Sequence, residues 1–342
     1  MSDAQDSEIQ AIRAQAHLLH AYFLGLQLMV STREDREVMG KWMFQLFRRQ
    51  HLDKFLSSFD KLGLSDLPDA VACAQYHVLS NNMGGVGVEY MYESDTKAWV
   101  RFRYPRWMYH GPTLCGVTEE VSRGFLRGWY AHNGVSLKNP RLAYVCVSED
   151  MTGEFGLCGY FKEYDHDLAD DERLQFAKGE LPPPFDPAVQ PAPPESEWNQ
   201  IRLEKANRNY AMEYIRNGLC ELQTILGRER TLELGSLAAR LTGLQYFPET
   251  ASMIDAQDGD LADATHYLAT MLRGMGDEVS IQGNQLQHTG LRIVRGLSDD
   301  DRDIVLQCWL QLWTGTMSSQ RQLKTLDVEE SGEGLTWQLG LA

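Results

Sequence analysis

Leu181-Pro182-Pro183-Pro184-Phe185-Asp186-Pro187-Ala188-Val189-Gln190-Pro191-Ala192-Pro193-Pro194 lies near the middle of the 342-residue chain. Each proline fixes φ and removes a backbone donor, so a run this dense forbids both a helix and a central strand. It reads as a stiff linker, and the relation between its two flanks decides the fold.

The flanks match at three places in the same order. Arg33-Glu34, Gly40, Leu46 and Gln50 recur as Arg228-Glu229, Gly235, Leu241 and Gln245. Asp66-Leu67, Asp69 and Ala70 recur as Asp260-Leu261, Asp263 and Ala264, and Val121, Leu126 and Trp129 recur as Val305, Leu310 and Trp313. Three matches in register predict a tandem duplication: residues 1–165 as a first repeat, 166–196 as a Pro-rich linker and 197–342 as a second repeat.

Ile9, Ile12, Ala16, Leu19, Phe23 and Leu26 recur at spacings of three and four, which predicts one buried helix face; its counterpart runs from about Trp198 to Leu226. Further helices are expected over about 34–50 and 68–79, the latter entered through Ser65 or Asp66 as N-cap. The period then changes to two. Val86–Tyr92 and Ala98–Tyr104 read as a hairpin, a helix follows over about 117–132, and Leu142–Val147 and Phe155–Phe161 form a second strand pair. The second half repeats this order, with a helix at 299–313, a strand at 323–328, a turn at 331–334 and a closing strand from Leu335. Three N-terminal helices followed by an antiparallel sheet packed on one more helix make an α+β fold, with the copies forming a pseudo-dimer within one chain.

The net charge of −16, from 32 Lys and Arg against 48 Asp and Glu, would repel phosphate backbones and anionic lipid, so no nucleic-acid or membrane partner is expected. Ala16–Val30 is the most apolar early stretch, and His17, His20 and Gln27 interrupt it, so neither a span nor a secretory signal is read there. The six cysteines are far apart with no CxxC, which fits reduced thiols and a cytoplasmic location.

Residues kept only for folding should agree between copies, so function is sought where the copies differ. The first copy carries Pro105-Arg106-Trp107-Met108-Tyr109-His110-Gly111-Pro112-Thr113-Leu114-Cys115-Gly116 ahead of its sheet-packed helix, whereas in the second Val294–Leu297 runs almost directly into Ser298. On that helix Glu120, Gly124 and Gly128 stand where the second copy has Ile304, Cys308 and Leu312. Positions four apart share a face, and a glycine inside a helix costs about 1 kcal/mol, so the lost bulk implies close packing or room for a ligand. A pocket is therefore expected between insert and helix, with His132 near its far end.

Several residue types there carry chemistry. His110 could act as a general base or be an ordinary loop histidine. Cys115 at a helix start suits a nucleophile, or is simply a small hydrophobe. Glu119 and Glu120 could move protons or serve the helix dipole, and His132 could merely close the helix. Trp107, Tyr109, Trp129 and Tyr160 would be pocket walls or core, and Arg101 or Arg103 would hold a substrate carboxylate or face solvent. No cofactor is expected; zinc on His110, Cys115, His132 and Cys158 is the alternative, at spacings that match no standard site. No Walker loop, GxGxxG, GxSxG or HExxH occurs.

Cys115 opening the helix, Asn139-Pro140-Arg141-Leu142 opening a strand, and the Gly153 turn leading to Cys158 and Phe161 resemble the L-2-amino-thiazoline-4-carboxylic acid hydrolase-like family and, more distantly, the 4-vinyl reductase ligand-binding domain. The resemblance covers about residues 114–161. It implies a small sheet with a pocket and hydrolysis of a ring C–N bond. It departs from the family, in which an acidic residue would come soon after the helix-opening Cys: here Gly116-Val117-Thr118 comes first and Glu119 is the nearest acid.

Two functions are therefore expected of the first copy: a cofactor-free hydrolase or lyase acting on a small cyclic or aromatic molecule, or a non-catalytic sensor or carrier using the same pocket. A third reading is an assembly protein, a homo-oligomer among its forms, in which another chain or the other copy fills the Gly124 and Gly128 face.

Overall fold

The computed structural model describes residues 3–104, 111–193, 198–332 and 334–342. Trp107, Tyr109 and His110 lie outside the described residues. In chain order the elements are α1 (Asp3–Arg33), α2 (Arg36–Phe59), α3 (Asp69–Met83), β1 (Val88–Ser94), β2 (Lys97–Phe102), α4 (Glu119–Gly128), α5 (Asn133–Ser136), β3 (Leu142–Ser148), β4 (Cys158–Glu163) and β5 (Leu174–Phe176). They continue with α6 (Gln200–Leu226), α7 (Arg228–Met253), α8 (Leu261–Gly274), β6 (Glu278–Gln282), β7 (Gln285–Thr289), α9 (Asp299–Ser318), β8 (Lys324–Ser331) and β9 (Gly334–Leu341). The fold is α+β. Among the described residues no helix is long and apolar enough to cross a membrane.

Two compact units divide the chain: a central one, Ser31–Asn199, and a discontinuous one, Met1–Val30 with Gln200–Ala342. Nearly all of α1 thus belongs with the later residues. It is tied there by Tyr22, whose hydroxyl donates to the Gly235 carbonyl at 3.0 Å, by the stacked Phe23 and Tyr214 rings, and by Arg13, whose Nε donates to Glu204 Oε1 at 2.8 Å.

In the central unit Asp35 caps α2 by accepting from the Val38 N–H at 2.8 Å. The buried face of α2, Met39, Trp42, Met43, Leu46, Phe47, Gln50, His51, Phe55 and Phe59, packs on α4. The two helices approach closely because α4 carries Gly124 and Gly128. A Cβ on Gly124 would stand 2.6 Å from Met43 Cβ and 3.0 Å from the Gly40 carbonyl oxygen; one on Gly128 would stand 2.7 Å from the Phe44 carbonyl oxygen and 3.0 Å from Arg48 N. The missing bulk is occupied by α2 of the same unit, which corrects the expectation that Gly124 and Gly128 line a ligand pocket or receive another chain.

The central sheet has the order β1-β2-β4-β3-β5. Its first four strands pair antiparallel and β5 adds to β3 in parallel, with Tyr144 opposite Leu174 and Cys146 opposite Phe176. Every residue of β3 is buried, since the sheet is covered on both faces. On one face Tyr144 and Phe161 meet Tyr130 and His77, with His77 stacked 3.7 Å from Tyr130. On the other, Met91, Trp99, Val145, Val147, Cys158 and Tyr160 form a cluster against Ala177. The Pro-rich segment is therefore more than a spacer. Ala177 N–H donates to the Cys146 carbonyl, and the Gln190 amide both accepts from Tyr90 N–H and donates to Tyr90 carbonyl, at 2.9 and 2.8 Å, closing the exposed edge of β1. The helix expected over 117–132 also breaks: α4 ends at Gly128, and a 3₁₀ turn (Tyr130–His132) leads into α5.

The discontinuous unit has the sheet order β6-β7-β9-β8. Its helices α7 and α9 meet as closely as α2 and α4, at Gly243 and Gly315: a Cβ on Gly243 would collide with the Leu312 carbonyl, and one on Gly315 with the Arg240 carbonyl. Under its sheet His288 and Asp277 are fully buried; Trp337 Nε1 donates to His288 Nδ1 at 3.2 Å, leaving Nε2 to donate to Asp277 Oδ2 at 2.9 Å. Both ring nitrogens are engaged, so this pair holds the fold together.

Because the atoms opposing Gly128 and Gly243 are backbone, they cannot rotate away. Gly128→Ala and Gly243→Ala should each destabilise by about 1–3 kcal/mol, the overpacking cost exceeding the roughly 1 kcal/mol gain in helix propensity. Denaturant midpoints test this, and an unchanged or raised midpoint would contradict the seam.

Candidate functional site

Those expected site residues that lie among the described ones do not converge. Cys115 ends a 3₁₀ turn (Gly111–Cys115) and is exposed. Glu119 accepts from Arg123 Nη1 at 2.9 Å and lies 3.7 Å from Arg36 Nη1, while Glu120 lies 3.6 Å from the same Arg36 atom. Arg123 continues into a bidentate pair with Glu149, Nε to Oε1 at 2.8 Å and Nη2 to Oε2 at 3.1 Å, and Lys178 joins both Glu149 (3.1 Å) and Glu154 (2.7 Å). Burial works to raise the Glu149 carboxyl, but Arg123 and Lys178 outweigh it and hold it below the usual range. Neighbouring Asp150 accepts from Tyr104 hydroxyl, from Ser122 Oγ at 3.3 Å and from Met151 N–H at 2.9 Å. Glu119, Glu149, Glu154 and Asp150 are thus matched by donors and cations, an arrangement that fixes loops, whereas Glu120 Oε2 is buried without a hydrogen-bond partner.

Arg101 and Arg103 share Glu89: Arg101 Nε donates to Oε2 at 2.9 Å and Arg103 Nε lies 3.2 Å from Oε1. Tyr160 sits in the apolar cluster under the Pro-rich segment, its hydroxyl donating to Glu180 at 3.2 Å and its ring 4.2 Å from Lys97 Nζ; burial, then Glu180, push that hydroxyl up. This is the sheet face opposite His77 and Tyr130, so Arg101, Arg103 and Tyr160 cannot share a pocket with His132. Cys158 lies in the same cluster, likewise away from His132. Trp129 is 4 % exposed, packed among Phe47, His51 and His77 as core. Among the described residues no three His, Cys, Asp or Glu side chains are grouped to hold a metal ion.

His132 does line a cleft. This opening of about 570 Å³ lies at the C-terminal end of α4, walled by Phe44 and Arg48 of α2, by Arg127, Ala131, His132 and Val135, and by Asp170, Asp171, Arg173, Leu174 and Phe176. Arg48 closes the end of α4, Nε donating to Gly128 carbonyl at 2.9 Å and Nη2 to Arg127 carbonyl at 3.1 Å, as suits a cation at the negative helix end. Behind the cleft His51 Nε2 meets Ser136 Oγ at 2.9 Å, and Asn133 Nδ2 donates to His77 Nε2 at 2.8 Å. Burial, then Arg48 and Arg173, push His132 down to about 4; burial, then His132 and Arg48, push His51 down to about 3; burial places His77 well below its ordinary value. At neutral pH these imidazoles are uncharged, and His132 is too weak a base to take protons effectively there.

Arg48, Arg127 and Arg173 escaped the sequence reading. A signal existed for two of them: where the first half has Arg48 and Arg127, the matched positions of the second are Gly243 and Gln311. Arg173 lies in the stretch taken as linker and had none.

No family model, curated protein or solved structure matches the chain.

The three histidines give a pH dependence. In the unfolded chain each takes a proton near the ordinary 6.5, whereas folded His132 and His51 do so only near 4 and 3. Between those values the unfolded state binds more protons, so stability falls as pH drops from about 6.5 toward 4. Guanidinium midpoints at pH 7, 5.5 and 4.5 should decrease in turn, and His132→Gln should flatten the decline; a level profile would refute neutral burial.

Proposed function

We propose that the central unit binds a small organic molecule in the cleft at the end of α4, and that the chain acts as a sensor or carrier. The observation that carries this reading is the cleft itself. Phe44, Ala131, Val135, Leu174 and Phe176 give it apolar walls, and a few polar groups, Arg127, His132 and Arg173 among them, line it. That combination, at this size, is what ligand sites are made of. The hydrolytic alternative draws less support, since exposed Cys115 and the ion-paired Glu119 and Glu120 are not brought to the cleft.

The two halves of the chain are, in this proposal, copies of one ancestor, the second without this site. The four antiparallel strands of each sheet follow one order, β5 being an addition to the first, and each half has a close helix seam. The seams are supported in a particular way: Gly128 faces Arg48 in one, and in the other their matched positions are Leu312 and Gly243, so one glycine per crossing is kept while the helix bearing it changes.

Ala131→Trp should fill the cleft and abolish binding of any compound that raises the wild-type melting temperature in a small-molecule screen. Cys115→Ser should leave that shift intact. Retained binding in a folded Ala131→Trp protein would sink the cleft, and loss in Cys115→Ser would return the weight to a cysteine mechanism.

A further inference from the structure

We infer that the ligand of this cleft is an apolar or aromatic carboxylic acid, an inference that rests on the binding reading above. The argument is one of charge balance. Three guanidinium groups, Arg48, Arg127 and Arg173, line the cleft against two carboxylates, Asp170 and Asp171. The carboxylates neutralise poorly. Arg173 has only 12 % of its side chain exposed, yet its acidic neighbour Asp170, 3.5 Å away, is fully exposed, and Asp171 is exposed as well. A cation withdrawn from water beside an anion left in water is under-compensated.

The other two arginines sharpen the imbalance. Among the described residues Arg48 and Arg127 have no carboxylate within 4.0 Å; Arg48 gives its Nε and Nη2 to carbonyls, and Arg173 gives Nη1 to the Asn139 carbonyl at 3.4 Å. Several other arginines of the unit are matched: Arg101 and Arg103 share Glu89, Arg123 holds Glu149, and Arg141 pairs with Glu163. The cleft is thus lined by guanidinium groups that its carboxylates do not match, in a chain whose net charge is −16. An uncharged His132 beside it adds a hydrogen-bonding group without a competing proton. One end of the ligand must therefore be an anion able to accept from a guanidinium fork, and a carboxylate fits that geometry. Its other end must be apolar, because Phe44, Ala131, Val135, Leu174 and Phe176 offer it no polar side-chain group.

Titration calorimetry on the full chain with 3-phenylpropionate and octanoate, each beside its alcohol and its amine, tests the class directly. The acids should bind at least about tenfold more tightly than the alcohols, and the amines more weakly still. Arg127→Gln and Arg173→Gln should weaken the acids by about tenfold or more and leave the alcohols unchanged; Arg127 is exposed, so that variant stays informative if the other misfolds. Alcohols binding as well as acids, or amines binding best, would overturn the acid inference while the cleft stands as a binding site. Failure of all six compounds would overturn the inference, and the site itself would then fail separately if Ala131→Trp left every shift in the small-molecule screen unchanged.

Discussion

Helix backbones in contact govern how each unit is built. In a typical helix pair side chains keep the axes apart, but across α2–α4 and α7–α9 glycine lets one backbone reach the other. The consequence extends beyond local density. With α4 drawn onto α2, the last carbonyls of α4 come within reach of Arg48, and the chain is free to turn at Gly128 into the 3₁₀ segment bearing His132. His132 and Arg48 are neighbours because two glycines have no side chains.

That constraint also explains what was and was not legible in the sequence. The α+β order could be read because apolar residues recur at three and four along α1 and alternate along β1 and β2, although burial itself is less periodic: Leu18 to Leu24 are all buried, as are Ala98, Trp99 and Val100. The unusual positions of Gly124 and Gly128 were legible too, but their meaning was open: absent bulk fits a ligand and a neighbouring backbone equally well until the neighbour is known. Arg101, Arg103 and Tyr160 were misplaced for a related reason. Alternation along a strand separates two faces but does not say which is the functional one, and in a sheet covered on both sides each face has an apolar cluster. The Pro-rich segment hid the most. Proline rules out a helix, yet it leaves the flanking residues free to pair, so a parallel strand at Leu174–Phe176 and a side-chain bridge from Gln190 were invisible to composition.

Charge in the central unit follows two patterns. One is closure, in which Arg123, Glu149, Lys178 and Glu154 satisfy one another around a carboxylate with 1 % of its side chain exposed. Such a network has little to offer a ligand, because any new partner must displace an existing one at the cost of leaving a charge unpaired. The other is surplus, in the cleft, where guanidinium groups are spent on carbonyls and an exposed carboxylate. The same surplus is felt by His132 and His51, whose protonated forms are opposed by Arg48 as well as by burial.

The segment after β4 joins these features. It supplies Lys178 to the closed network, Ala177 to the apolar cluster on the sheet, and Arg173, Leu174 and Phe176 to the cleft, all within six residues. Phe176 touches both patterns, since Arg123 lies over its ring at 5.9 Å. Parallel pairing of β5 with β3 fixes the position of Arg173, because Leu174 must sit opposite Tyr144 and the residue before it then falls at the end of the strand. Nothing comparable pairs with the four-stranded sheet among the described residues, where β8 stands at the edge. The basic, apolar-walled cleft of one unit is therefore closed by the chain that follows its last antiparallel strand, beside a glycine seam that brings Arg48 to the end of α4.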